Sequence, residues 1–201
     1  EECDDGNKVN GDGCSLDCLL EQQTPSCNES NYNNYTTLKN RDEFGNVVDA
    51  SAYGELFYND FGDKFSYCFQ GYNLNPSDYS LIYYADPWPG NNPGGLLGHG
   101  QEQIAESGYV YINGAVNLGM DLPHPSDSNY PDGAKIWLVP SNAYDQVENK
   151  LITFKTGEKD WLFDTDLINY DWTGSNNLLE CGNGIVEDGE ECDGDSGVPE
   201  G

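Results

Sequence analysis

Residues 65–70 alternate an aromatic ring with a small or polar side chain: Phe65, Tyr67 and Phe69 against Ser66, Cys68 and Gln70. A period of two puts the three rings on one face of an extended chain, the pattern of a half-buried strand. Further short runs of strand-forming residues lie at Leu56 to Tyr58, Tyr79 to Tyr84, Tyr109 to Val116, Lys135 to Val139, Leu151 to Lys155 and Trp161 to Phe163. Turn-forming clusters separate them: Asn75-Pro76-Ser77-Asp78, then Asp86 to Asn92, then Asp121 to Gly133. No stretch of helical length repeats its apolar residues every 3.6 positions; Ser141 to Asn149 has room for a turn or two. Strands without intervening helices predict a mainly β fold, an antiparallel β-sandwich of the jelly-roll or immunoglobulin-like kind. It is expected to span 34–175, and about 140 residues are enough to bury a core of their own.

Composition agrees. Fourteen Tyr, seven Phe and four Trp beside one Met favour an aromatic, β-branched core and argue against disorder of the whole chain. The formal net charge is −28, from 36 acidic and 8 basic residues. Such a surface lacks the basic stripe that nucleic acid requires, and it is repelled by anionic lipid heads. No apolar run approaches the ~18–20 residues of a membrane-crossing helix, so membrane insertion is not expected. The chain opens on Glu1-Glu2-Cys3 without a leader pattern and reads as a mature or excised segment.

Seven cysteines point to an oxidising setting, extracellular or at a cell surface. Two acceptor triplets for N-linked glycans fit that location, Asn28-Glu29-Ser30 and Asn34-Tyr35-Thr36. The ends differ from the middle. Residues 1–33 hold Cys3, Cys14, Cys18 and Cys27 and finish in the polar run Asn28 to Asn34, which reads as a linker. Residues 176–201 hold Cys181 and Cys192. The middle keeps only Cys68, and its position suggests pairing with Cys27. Of the 36 acidic residues, 14 lie in 1–21 and 181–201.

The two ends carry complementary halves of one motif. The tail reads Cys181-Gly182-Asn183-Gly184, then Gly189-Glu190-Glu191-Cys192-Asp193. The head reads Glu1-Glu2-Cys3-Asp4-Asp5-Gly6-Asn7, then Asn10-Gly11-Asp12-Gly13-Cys14-Ser15-Leu16-Asp17-Cys18. Together they resemble the secreted cysteine-rich repeat first noted in myxobacterial proteins, whose unit runs C-G-N-G, G-E-E-C-D-D-G-N, N-x-D-G-C-x-x-x-C. In that resemblance Cys192 corresponds to Cys3, so the unit is divided between tail and head. The tail departs from it at Gly194-Asp195-Ser196-Gly197. Two arrangements produce such a division. Tandem copies in a larger protein can be cut at this point, or the tail of one subunit can complete the domain begun by the next. The middle is similar to an uncharacterised β-rich domain of bacterial and archaeal surface proteins. That likeness rests on Tyr79 to Gly90, Asn117 to Pro123 and Asn129 to Pro140. It implies location and no activity.

Metal ligands are expected among oxygen donors. Asp4, Asp5, Asn7, Asn10 and Asp12 crowd a stretch with Gly6, Gly11 and Gly13, which suits calcium, although the spacing is not that of an EF-hand. Asp121, Asp127 and Asp132 in the long Pro-rich loop are further candidates, and bound cations would relieve the self-repulsion of so acidic a chain. Zinc is disfavoured, because His99 and His124 are isolated and paired C-x-x-C spacing is missing. No catalytic site is expected. Gly194-Asp195-Ser196-Gly197 echoes a serine-protease signature but has no matching histidine context, and Gly95-x-x-Gly98-x-Gly100 lacks a phosphate-binding lysine. The resulting expectation is an extracellular structural protein, a subunit or repeat unit of a filament or surface layer whose partners are copies of itself, head to tail. The alternative is a calcium-dependent carbohydrate-binding or adhesion module. Trp88, set between two prolines, would serve glycans there.

Overall fold

The alternation at 65–70 is realised in a strand whose rings point into the core: Phe65, Tyr67 and Phe69 are all buried. The computed structural model describes residues 25–84, 94–101, 108–124 and 130–174. Its strands are β1 (Asn34–Arg41), β2 (Val47–Tyr58), β3 (Phe61–Gly62), β4 (Phe65–Tyr72), β5 (Asp78–Tyr84) and β6 (Gly94–Gln101). They continue with β7 (Val110–Val116), β8 (Lys135–Pro140), β9 (Tyr144–Asp145), β10 (Lys150–Leu151), β11 (Leu162–Asp164) and β12 (Asp171–Trp172). Among the described residues eight strands form one sheet in the order β6-β5-β8-β11-β1-β2-β4-β7, and every pairing in it is antiparallel. β9 pairs with β10, and β12 runs parallel to β3.

The mainly β, antiparallel expectation holds. In place of two separately bonded layers, the ladder runs unbroken from β6 to β7 and the sheet rolls nearly into a barrel. Its two edges meet. Tyr67 of β4 donates its hydroxyl to the Leu97 carbonyl of β6 at 2.7 Å. A side chain at Gly100 would lie 2.5 Å from Ile112 Cγ1 and 3.1 Å from the Tyr111 carbonyl of β7, so glycine lets these edges approach. Leu38, Leu56, Phe65, Tyr67, Phe69, Leu81, Ile136, Leu138 and Leu162 fill the inside. Fully burying each such side chain contributes roughly 1.5–3 kcal/mol of transfer free energy.

A second core lies outside the roll. Ile82, Trp137, Val139 and Phe163 face outward from β5, β8 and β11, and Ala143, Tyr144, Leu151 and Trp161 cover them. The run Lys135–Pro140 is therefore buried at every position, which explains its unbroken apolar stretch. Ser141–Ala143 forms a short 3-10 turn where one or two helical turns were allowed. Of the expected strand Leu151 to Lys155, only Leu151 pairs, with Tyr144.

The polar run expected as a linker is a strap on the outer face of β4. Tyr109 donates to the Pro25 carbonyl, the Cys27 N–H donates to Gln70 Oε1 at 3.2 Å, and Cys27 is disulfide-bonded to Cys68. Glu29–Asn31 makes a 3-10 turn capped by Asn28, and the Asn33 amide donates to Asp60 at 2.6 Å. The strap thus starts beside Tyr72 and ends beside Phe65. At that second end the described chain leaves, where Trp172 Nε1 donates to the Asp63 carbonyl at 3.2 Å and the Thr173 N–H to the Gly62 carbonyl at 2.9 Å. Entry and exit lie at opposite ends of β4, roughly 25 Å apart at the rise of an extended chain.

Candidate functional site

A cleft of about 430 Å³ opens on the outer face beside the second core. β8 supplies Lys135 and Trp137, β11 supplies Phe163 and Asp164, and the covering segment supplies Phe154 and Thr156. The tight β1–β2 turn adds Arg41, Asp42, Glu43 and Gly45; Tyr130 and Leu167 close the rim. The turn is fixed by Asp42, whose carboxylate accepts the N–H groups of Phe44 and Asn46 at 2.9 and 2.8 Å. These bonds hold the Asp42 carboxyl below its ordinary range, the Asn46 side chain foremost.

The cleft wall is aromatic. Trp137 and Phe163 meet edge to face with centroids 5.0 Å apart, and Phe154 leans on both at 5.6 and 5.8 Å. Such contacts hold ring orientation as well as burying area. Lys135 Nζ sits 3.6 Å above the Tyr130 ring and 5.3 Å from that of Trp137, so aromatic faces replace part of its water. Arg41 donates to the Gly45 carbonyl, and its Nε is buried without a hydrogen-bond partner.

Asp164 is the most perturbed carboxyl of the described residues. Burial pushes it up to about 7 against the pull of Lys135, Arg41 and a hydrogen bond from the Trp137 side chain. Desolvation outweighs the two cations because the low-dielectric wall penalises the ionised form directly. The protonated acid can donate a hydrogen bond, whereas the carboxylate only accepts. The cleft therefore offers an apolar ring surface with donors and acceptors on one side of it. None of these residues was singled out from sequence as a cleft; outward Trp137 and Phe163 beside Lys135 and Asp164 were the only available signal.

Of the residues expected to ligate a metal, Asp121 and Asp132 are among those described. Asp121 accepts the Trp172 N–H at 2.8 Å and so anchors β12, while the Asp132 carbonyl accepts from Asn169. Asp4, Asp5, Asn7, Asn10, Asp12 and Asp127 lie outside the described residues, as do Cys3, Cys14, Cys18, Cys181, Cys192 and Trp88. Among the described residues no three His, Cys, Asp or Glu side chains converge on a metal position. The pair Cys27–Cys68 is formed as expected.

The two glycan triplets differ in setting. Asn28 is exposed, and its Oδ1 accepts from both the N–H and the hydroxyl of Ser30. Asn34 opens β1 beside a second cavity of about 450 Å³ lined by Tyr35, Glu55 and Phe57, but Thr36 is buried. Sequence did not single out Ser80, whose hydroxyl meets His99 Nδ1 at 3.0 Å and Ser141 Oγ at 2.9 Å. Ser80 is fully buried, so these groups tie β5, β6 and the 3-10 turn together with no open approach for an electrophile.

Compared with protein-family models, with curated proteins and with solved structures, the chain matches none.

Proposed function

We propose that this chain is an extracellular structural unit that joins copies of itself head to tail through its cysteine-rich ends. The observation that carries this reading is the separation of entry and exit. The strap begins at the Tyr72 end of β4 and Trp172 leaves at the Asp63 end, so successive units are joined across a β domain and not on one side of it. A unit whose two connections lie on different surfaces makes a heterologous contact, which propagates unless rotation closes it into a ring.

The cysteine arithmetic supports the same reading. With Cys27 bonded to Cys68, the remaining five cysteines all lie in the terminal segments. A divided motif gives the cysteines of each end their partners in a neighbour. The disulfide and the two glycan triplets fit an oxidising location. In this reading calcium serves the acidic head segment, where Asp4, Asp5 and Asp12 stand together.

Disulfide mapping on a mixture of light and isotope-heavy protein, oxidised together, tests the proposal. The expected product is a mixed-isotope peptide pair joining Cys181 or Cys192 to Cys3, Cys14 or Cys18. Pairs confined to single-isotope chains would overturn it.

A further inference from the structure

We propose that the cleft between β8, β11 and the β1–β2 turn binds a neutral saccharide, whose ring stacks on Phe154 and whose hydroxyls meet Arg41, Lys135 and Asp164. It uses no terminal residue and is independent of the head-to-tail reading.

Three features of the cleft select this ligand class. The first is an apolar platform with an open side. Phe154 is 38% exposed at the mouth while Trp137 and Phe163 behind it are 6% and 7% exposed, so the ring is backed by packed aromatics and free in front. A pyranose presents a flat patch of C–H groups that fits such a face. The second is mixed polarity. Arg41 and Lys135 donate, Asp42 and Glu43 accept, and Asp164 can do either. Hydroxyl groups both donate and accept, so a sugar can satisfy all of these.

The third is charge. A strongly anionic ligand would be repelled by a chain of net charge −28, and the cleft sets Arg41 and Lys135 beside Asp42, Glu43 and Asp164, so neither sign of charge dominates its lining. A neutral, hydroxyl-rich ring suits such a mixed lining. Its recognition relies on side chains already in place, so it needs no calcium ion. At about 430 Å³ the cleft has the size of ordinary small-ligand sites and holds one or two sugar rings.

The full chain, screened on an array of neutral, acidic and amino-sugar glycans, provides the test. The best neutral oligosaccharide is then titrated against intrinsic tryptophan fluorescence. The expected result is saturable binding of a neutral glycan that survives raised salt and chelation of divalent ions. Phe154→Ala and Arg41→Gln should each weaken it about tenfold or more while thermal unfolding stays cooperative. Should Phe154→Ala fail to fold, Arg41→Gln decides. The proposal is overturned if no neutral glycan binds, if binding is limited to charged glycans and vanishes with salt, if chelation abolishes it, or if Arg41→Gln binds like the parent.

Discussion

Tyr67 and Leu97 belong to strands near opposite ends of the sheet order, yet the Tyr67 hydroxyl donates to the Leu97 carbonyl at 2.7 Å in the buried interior. This bond closes the roll from within. Burial of the same hydroxyl pushes it up to about 12, because the ionised form is disfavoured in a dry setting. Tyr67→Phe is expected to destabilise the fold by about 1–2 kcal/mol, because the Leu97 carbonyl loses its partner. Gly98→Ala acts at the same place, since its methyl would fall 2.1 Å from the Tyr67 oxygen. It should cost about 1–3 kcal/mol alone and less in the Tyr67→Phe background. Urea unfolding of the four proteins in this cycle measures the coupling.

The strap gives a second prediction. Cys27 and Cys68 are separated by 41 residues, and closing a loop of that size removes unfolded-state entropy worth on the order of 4 kcal/mol. Replacing both with serine should lower stability by about 2–4 kcal/mol in chemical denaturation. Hydrogen exchange should rise first in residues 25–33, where Cys27 and Asn33 hold the strap to Gln70, Asn59 and Asp60.

Asp164 makes stability depend on pH in an unusual direction for a carboxylate. Its folded value of about 7 lies above the ordinary 3.8. Between these values the unfolded chain releases the proton and the folded chain keeps it, so stability falls as pH rises from about 4 to 7. The effect is on the order of 4 kcal/mol when complete. Asp164→Asn keeps the shape of the protonated acid and should remove this component. Thermal melts of both proteins across that window should converge at low pH, with Asp164→Asn the more stable at pH 8.

The outer core can be separated from the inner one by a single truncation. Trp161 is 1% exposed and lies against Phe163 and Phe154 outside the sheet. Trp161→Ala should cost about 3–5 kcal/mol and loosen the segment around Phe154. The Tyr67–Leu97 closure should persist, observable as retained protection of β4 amides.

The strands with alternating aromatics were legible because their rings share one inward face, although Cys68 and Gln70 on the other face of β4 are buried as well. β1 was not, since Thr36 and Asn40 are buried polar residues among few apolar ones; Asn40 is held by the Glu158 and Trp161 carbonyls. β6 was hidden by its glycines, whose role is to admit Tyr67, Tyr83 and Ile112 and not to form a loop. A strap and a linker have the same polar composition. Only Gln70, Asn59 and Asp60, distant in sequence, turn residues 25–33 into the former. The cleft was unreadable for the same reason: sheet order brings Arg41, Lys135 and Asp164 together, and the segment covering the second core brings Phe154 to them.

Electron microscopy of the oxidised, purified full chain in calcium tests the head-to-tail account most directly. Linear assemblies that fall apart on reduction are the predicted result. A population of monomers only, in calcium and without reductant, would contradict it.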